Sequence, residues 1–310
     1  MIQLFVVRRR GCFLMNKKKY YFVYSALFII PLVIFIVGLF FDLNYAKAIY
    51  NKNAFGIFFA AIGETPAYGG LAFVAGGLYS YQKGVHKKLN KIILLLVSTI
   101  LLVVGTFLSM RAMKSYNALN IPSKWYLTLP IAILLDGGLC LLGYDLTNKT
   151  NNKDILRVLI FMSAVIITQL LVITILKKVW GRPRYRFLIS ENGSLDYYRN
   201  WWEINSGVKE LFPNISSDNF KSCPSGHTAS ASCAFLIVLL PRFNEKLKGK
   251  EVILMIIATI WALVVGLSRH MMGAHFLTDT SFAMMIVMII FGALFLVFFN
   301  TKKVENMVIE

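Results

Sequence analysis

Apolar residues come in long runs along this chain, without the alternation of half-buried strands or the narrow stripes of surface helices. Eight runs stand out, at 20–41, 60–82, 91–110, 125–146, 155–176, 226–241, 251–268 and 275–299. Seven reach the length of about 17 to 25 residues that a bilayer needs, and 226–241 is the shortest. The pattern predicts an all-α fold: a polytopic helical membrane protein with about eight transmembrane helices. No internal repeat or low-complexity linker divides the 310 residues, so 1–310 reads as a single integral-membrane domain. The second run is interrupted by Glu64 and Pro66, and its start reads as re-entrant or interfacial if it does not cross whole. Gly56, Gly63, Gly70 and Gly77 recur there every seven residues, a small-residue stripe suited to close helix contact. The one long connection, 177–225, carries Trp201, Trp202, Tyr197 and Tyr198 with charges of both signs, and reads as ordered at the membrane interface.

Composition sharpens this picture. The chain is 57% hydrophobic and 15% charged, yet its formal net charge is +18. The Lys and Arg lie mostly in short connections between apolar runs, which points to membrane topology and away from nucleic acid. With the N-terminus inside, the inner segments hold 19 Lys and Arg and the short outer loops near 42–54 and 111–124 hold five. Both termini are therefore expected in the cytoplasm, with 177–225 and the 269–275 turn outside. The first apolar run is too long for a cleaved signal peptide and reads as a signal-anchor, with Met15 as an alternative start. Cys12, Cys140, Cys223 and Cys233 form no C-x-x-C pair, so neither a disulfide framework nor a structural zinc site is expected.

Three clusters fall at the outer ends of the last four runs: "KKVWGRPRYRF" at 177–187, "CPSGHT" at 223–228 and "SRHMMGAHFLTD" at 268–279. Each alone has an ordinary reading, as a snorkelling anchor, a helix start or a solvated histidine. Their convergence on one face is what raises a site. A helix starting near 274 would put His275 and Asp279 on one face, where the carboxylate could accept Nδ1–H and leave Nε2 outward as a nucleophile. A satisfied buried His–Asp pair would have the same spacing. Lys177, Arg184 and Arg269 aimed at one spot would bind a dianion. Backbone N–H groups around Ser225 and Gly226 would add donors at a helix start, with His227 at the edge placed to donate a proton to a leaving oxygen. No metal-ligand motif appears among the outer segments, so no metal or other cofactor is expected.

With these residues in place, the chain resembles the type 2 phosphatidic acid phosphatase family, which shares its core with vanadium haloperoxidases. That family's pattern is Lys, six residues, Arg-Pro; then Pro-Ser-Gly-His; then Ser-Arg, five residues, His, three residues, Asp. Lys177 and Arg184 fit the first spacing, with Tyr185 where the family usually has Pro. Arg182 of the "GRP" at 181–183 is not at the right distance from either lysine. Pro224, Ser225, Gly226 and His227 match the second part, and Ser268, Arg269, His275 and Asp279 the third. The resemblance implies a phosphatase catalytic core over 155–299, with 1–154 as additional N-terminal transmembrane helices. It implies that His275 attacks phosphorus, His227 protonates the leaving alcohol and Asp279 supports His275. Lys177, Arg184, Ser225, Gly226 and Arg269 would bind the phosphoryl oxygens. The expected partners are a lipid phosphate or diphosphate substrate and membrane lipids. Two other readings stand beside a lipid phosphatase: a phospholipid-binding or transport protein using the same basic pocket without hydrolysis, and a haloperoxidase, which the multi-span character disfavours.

Overall fold

A computed structural model describes residues 17–114 and 125–299, so the alternative start at Met15 and Cys12 lie outside the described residues. The described residues are helical with no strand. In chain order the helices are α1 (Lys17–Ile49), α2 (Ala54–Ile62), α3 (Thr65–Tyr81), α4 (Lys88–Lys114), α5 (Trp125–Lys149), α6 (Ile155–Trp180), α7 (Tyr185–Leu188), α8 (Gly226–Ser232), α9 (Glu251–Met271) and α10 (Leu277–Phe299). Seven helical stretches among them are long and apolar enough to cross a membrane. Their outward faces are apolar as a bilayer requires, with Leu96, Val103, Leu134 and Val297 each more than half exposed.

The eighth expected span, 226–241, is not among these seven. Residues 226–242 begin as α8 and continue as a ten-residue 3-10 helix, Cys233–Arg242. As an α-helix the run would be too short. A 3-10 helix rises about 2.0 Å per residue against about 1.5 Å for an α-helix, so the two pieces together reach about 30 Å. The segment starts beside His275 and ends where Thr150 Oγ1 and Asn152 Nδ2 donate to the Arg242 carbonyl, at 3.1 and 3.2 Å. It therefore runs the length of α6, which starts at Ile155.

The ends of the bundle can be read from the contacts. Tyr24 of α1 donates to the Met288 carbonyl of α10 at 2.5 Å, and Asp42 of α1 accepts from the Thr278 amide at 3.0 Å. The two helices are antiparallel, so Lys17 and Phe299 lie at the end opposite Asp42. Arg242 stacks over Phe299 at 5.6 Å, which places the 150–154 and 242–250 connections at that same end. The helix α1 also runs eight residues past the expected boundary at 41, which carries Asp42 on a helix instead of in an outer loop.

The second apolar run forms two helices, broken at Gly63–Glu64, and as a whole, 54–84, it is long and apolar enough to cross a membrane. Its glycine stripe lies against two partners. A Cβ on Gly56 or Gly63 would collide with Met272 or Val265 of the α9 side, at 2.9 and 2.7 Å. One on Gly70 or Gly77 would meet Ile166 or Leu159 of α6, at 3.0 and 2.6 Å. The long connection 189–225 is folded as expected of an ordered segment: Phe187, Val208 and Phe220 form a small core with Ala46 and Phe276 over the end of the bundle.

Candidate active site

The turn between α9 and α10 sets the site. Gly273 sits at φ 58°, a left-handed conformation that glycine adopts without a Cβ clash. Ala274 N–H closes the turn on the Arg269 carbonyl at 3.0 Å, and Arg186 N–H ties it to the overlying loop through the Gly273 carbonyl at 2.8 Å. His275 hangs below, 1% exposed. Its Nδ1 lies 2.5 Å from the Ser222 carbonyl. A carbonyl only accepts, so Nδ1 carries the proton and Nε2 presents its lone pair. That Nε2 is buried and has no hydrogen-bond partner among the described residues.

The spacing argument for Asp279 needs correction. α10 begins at Leu277, not near 274, so His275 precedes the helix and does not share its face. Asp279 Oδ2 is 4.0 Å from Nδ1, and the Nδ1 bond goes to Ser222 instead. Asp279 accepts from Arg182 Nη1 at 2.6 Å, from Ser222 Oγ at 2.6 Å and from the Phe276 amide at 2.9 Å. It thus holds Ser222, whose carbonyl accepts from His275 Nδ1–H, and Phe276, the residue after His275, so it acts on His275 one bond removed.

Arg182 was set aside on spacing, and the structure gives it a different task from phosphate binding. It is fully buried, with Nη2 3.0 Å from Asp42, Nη1 on Thr278 at 2.9 Å and Nε on the Arg199 carbonyl at 2.8 Å. Its guanidinium also lies over Phe276 at 4.3 Å. The Thr278 hydroxyl donates to Asp42 as well. Asp42, Arg182 and Asp279 form a buried chain of charges that clamps α1 to the His275 turn. A carboxylate just past an apolar run and an arginine in a Gly-Arg-Pro turn were the available sequence signals.

Lys177, Arg184 and Arg269 come together as expected. Lys177 ends α6, Arg269 ends α9 and is fully buried, and Arg184 begins α7 and is 5% exposed. Arg184 is held from behind by Asp218 at 3.0 Å, which also pairs with Arg186 at 3.0 Å. Although burial pushes the Asp218 carboxyl up, Arg184 and Arg186 hold it below its ordinary value. Burial, and then Arg184, Lys177 and Arg269, push His275 well below the ordinary imidazole range. Its neutral form is the one the site favours.

The helix start at Ser225 differs from expectation in one donor. The Ser225 amide is already bonded to the Asp279 carbonyl at 2.9 Å, so it is not offered to a ligand. Ser225 Oγ instead caps α8, accepting from the Thr228 amide at 3.3 Å. Gly226 keeps the approach open, since a Cβ there would stand 3.0 Å from the Lys177 ammonium. His227 follows, bonded to the Ala60 backbone and with Nε2 3.5 Å from Glu64 Oε2. In the sequence Glu64 only interrupts the second apolar run, and nothing in its spacing points to His227, so its place in the site comes from the fold.

Fold and site define a class: an all-helical protein of multi-pass membrane character, with two histidines in a buried cradle of cations at one end of its bundle. Residues 157–303 match the family model of the PAP2 superfamily, generally one of phosphatase-type hydrolases. No solved structure matches the chain.

Proposed function

We propose that the protein is an integral-membrane phosphatase that hydrolyses a lipid phosphate or diphosphate without a metal ion, through a phosphohistidine on His275. The observation that carries this reading is His275 itself, with Nδ1 tied to a carbonyl, Nε2 buried and open, and three cations converging around it. A headgroup-binding pocket would use the cations but has no use for a tautomer-fixed imidazole.

In this reading Nε2 of His275 attacks phosphorus as the bond to the lipid oxygen breaks, and His227 gives that oxygen its proton. Water then attacks the phosphohistidine, releasing phosphate and restoring His275. Lys177, Arg184 and Arg269 hold the equatorial oxygens, where charge gathers in phosphoryl transfer. The site faces the outside. In support, it lies at the end of the bundle opposite Lys17 and Phe299, while the 150–154 and 242–250 connections share the end with those termini.

The test is phosphate release from a panel of lipid phosphates by purified protein in detergent. Wild type is expected to turn over in the presence of a chelator and to be blocked by vanadate, a mimic of pentacoordinate phosphorus. His275→Ala is expected to abolish release while the protein remains folded. Headgroup binding without release by wild type would favour the binding-protein reading, and activity of His275→Ala within a few-fold of wild type would remove the nucleophile assignment.

A further inference from the structure

Glu64 is a carboxylate buried in an apolar span, outside the part of the chain that the family model matches. Such a residue is costly in a membrane and is retained where it has a partner. Its Oε1 accepts from Tyr68 at 3.0 Å, and its Oε2 is 3.5 Å from His227 Nε2. The break between α2 and α3 creates this placement. A Cβ on Gly63 would stand 2.7 Å from Val265 of α9, so the break has room only for glycine there, and Glu64 is the next residue. The C-terminal turn of α2 adds the Ala60 backbone, so the break grips His227 from both sides.

We infer that Glu64 is a positioning residue for His227, the two side chains holding between them the one proton that the departing alcohol takes. The inference rests on the phosphatase reading above. Around His227 stand Lys177 from α6, Arg184 from α7, Arg269 from α9 and the His275 turn. Those three side chains are cations, and Glu64, itself faced by Tyr68, Ser230, Lys177 and Arg269, is the carboxylate 3.5 Å from the imidazole. The neighbouring carboxylates are engaged elsewhere, Asp218 with Arg184 and Arg186 and Asp279 with Arg182 and Ser222. As the phosphorus–oxygen bond breaks, the proton passes from His227 Nε2 to the lipid oxygen, and the pair is left with none. When water attacks the phosphohistidine, its proton returns to the pair, which closes the cycle.

The role is separable from a structural one by leaving group. An alkyl lipid oxygen needs a proton to depart, whereas p-nitrophenolate does not. Glu64→Gln keeps the size and the Tyr68 contact. It is expected to lower kcat on phosphatidate by about 10²-fold, to change kcat on p-nitrophenyl phosphate little, and to move the alkaline limb of kcat/KM on phosphatidate down by about one pH unit. The direction follows because losing an anion disfavours the protonated imidazole. Glu64→Asp is expected to keep the limb near its wild-type position at a partly reduced rate. Equal losses on both substrates with an unmoved limb would make Glu64 structural and overturn the inference, as would full activity of Glu64→Gln on phosphatidate. Where another lipid of the panel is the better substrate it replaces phosphatidate here, and wild type that releases phosphate from no member of the panel removes the phosphatase reading, and the inference falls with it.

Discussion

The reactive histidine shows how burial and charge divide one task. His275 owes its tautomer to the Ser222 carbonyl and its neutrality to burial and the cations around it. A lowered imidazole value means that the nucleophile stays unprotonated as pH falls through the ordinary value of about 6.5. The acid limb of kcat/KM is accordingly expected below pH ~6.5. Arg184→Gln tests the electrostatic part. Removing that cation is expected to move the acid limb upward, because a protonated imidazole becomes less unfavourable, and to lower the rate by about 10²–10³-fold through the lost phosphoryl donor. An unmoved acid limb measured alongside the rate loss would assign Arg184 to binding alone.

At the scale of elements, the helices that the family model leaves out complete the site. The α2–α3 break delivers Glu64, and the extended end of α1 delivers Asp42. Gly63→Ala puts a methyl against the Phe59 carbonyl and 2.7 Å from Val265, so the break must shift. A loss of about 1–3 kcal/mol in stability is expected, with reduced phosphate release. Gly137→Ala, where nothing stands within 4 Å of the new carbon, is the matching control and is expected to retain both. Thermal unfolding in detergent and release assays on the two variants decide the matter. Asp42 is the counterpart in α1. Its carboxylate is 3% exposed and pairs with a fully buried Arg182. Asp42→Ala leaves that guanidinium short of one partner, and a cost on the order of 3–5 kcal/mol is expected, read as a lowered unfolding temperature.

At the scale of the whole molecule, the question is which leaflet the site meets. The bundle ends carry Lys17, Phe299 and Arg242 on one side and the His275 turn on the other. In the reading proposed above, the basic loops lie inside and the site outside. In a cysteine-free background, a membrane-impermeant thiol reagent applied to intact cells is expected to modify a cysteine at Asn192 and to miss one at Lys248. Lys248 is preferable to Gly249, whose φ of 82° would strain any side chain. Labelling at Lys248 alone would reverse the topology and move the substrate to the inner leaflet.

Much of this was legible in the sequence for a physical reason: apolar runs long enough to cross a bilayer leave a helix little alternative, since every backbone group must be bonded within the segment. The helical fold and the gathering of Lys177, Arg184, His227, Arg269 and His275 followed from run length, loop charge and motif spacing. What spacing could not decide was which group bonds which. The turn at Gly273 delays α10 to Leu277, so Asp279 meets Arg182 and the Ser222 hydroxyl, while the Ser222 carbonyl accepts from His275 Nδ1–H. The arrival of Asp42 and Glu64 from helices far away in sequence depends on contacts across 236 and 163 positions. Those distances are closed only by packing, because a charge in an apolar run finds its partner in the folded bundle and not among its neighbours along the chain.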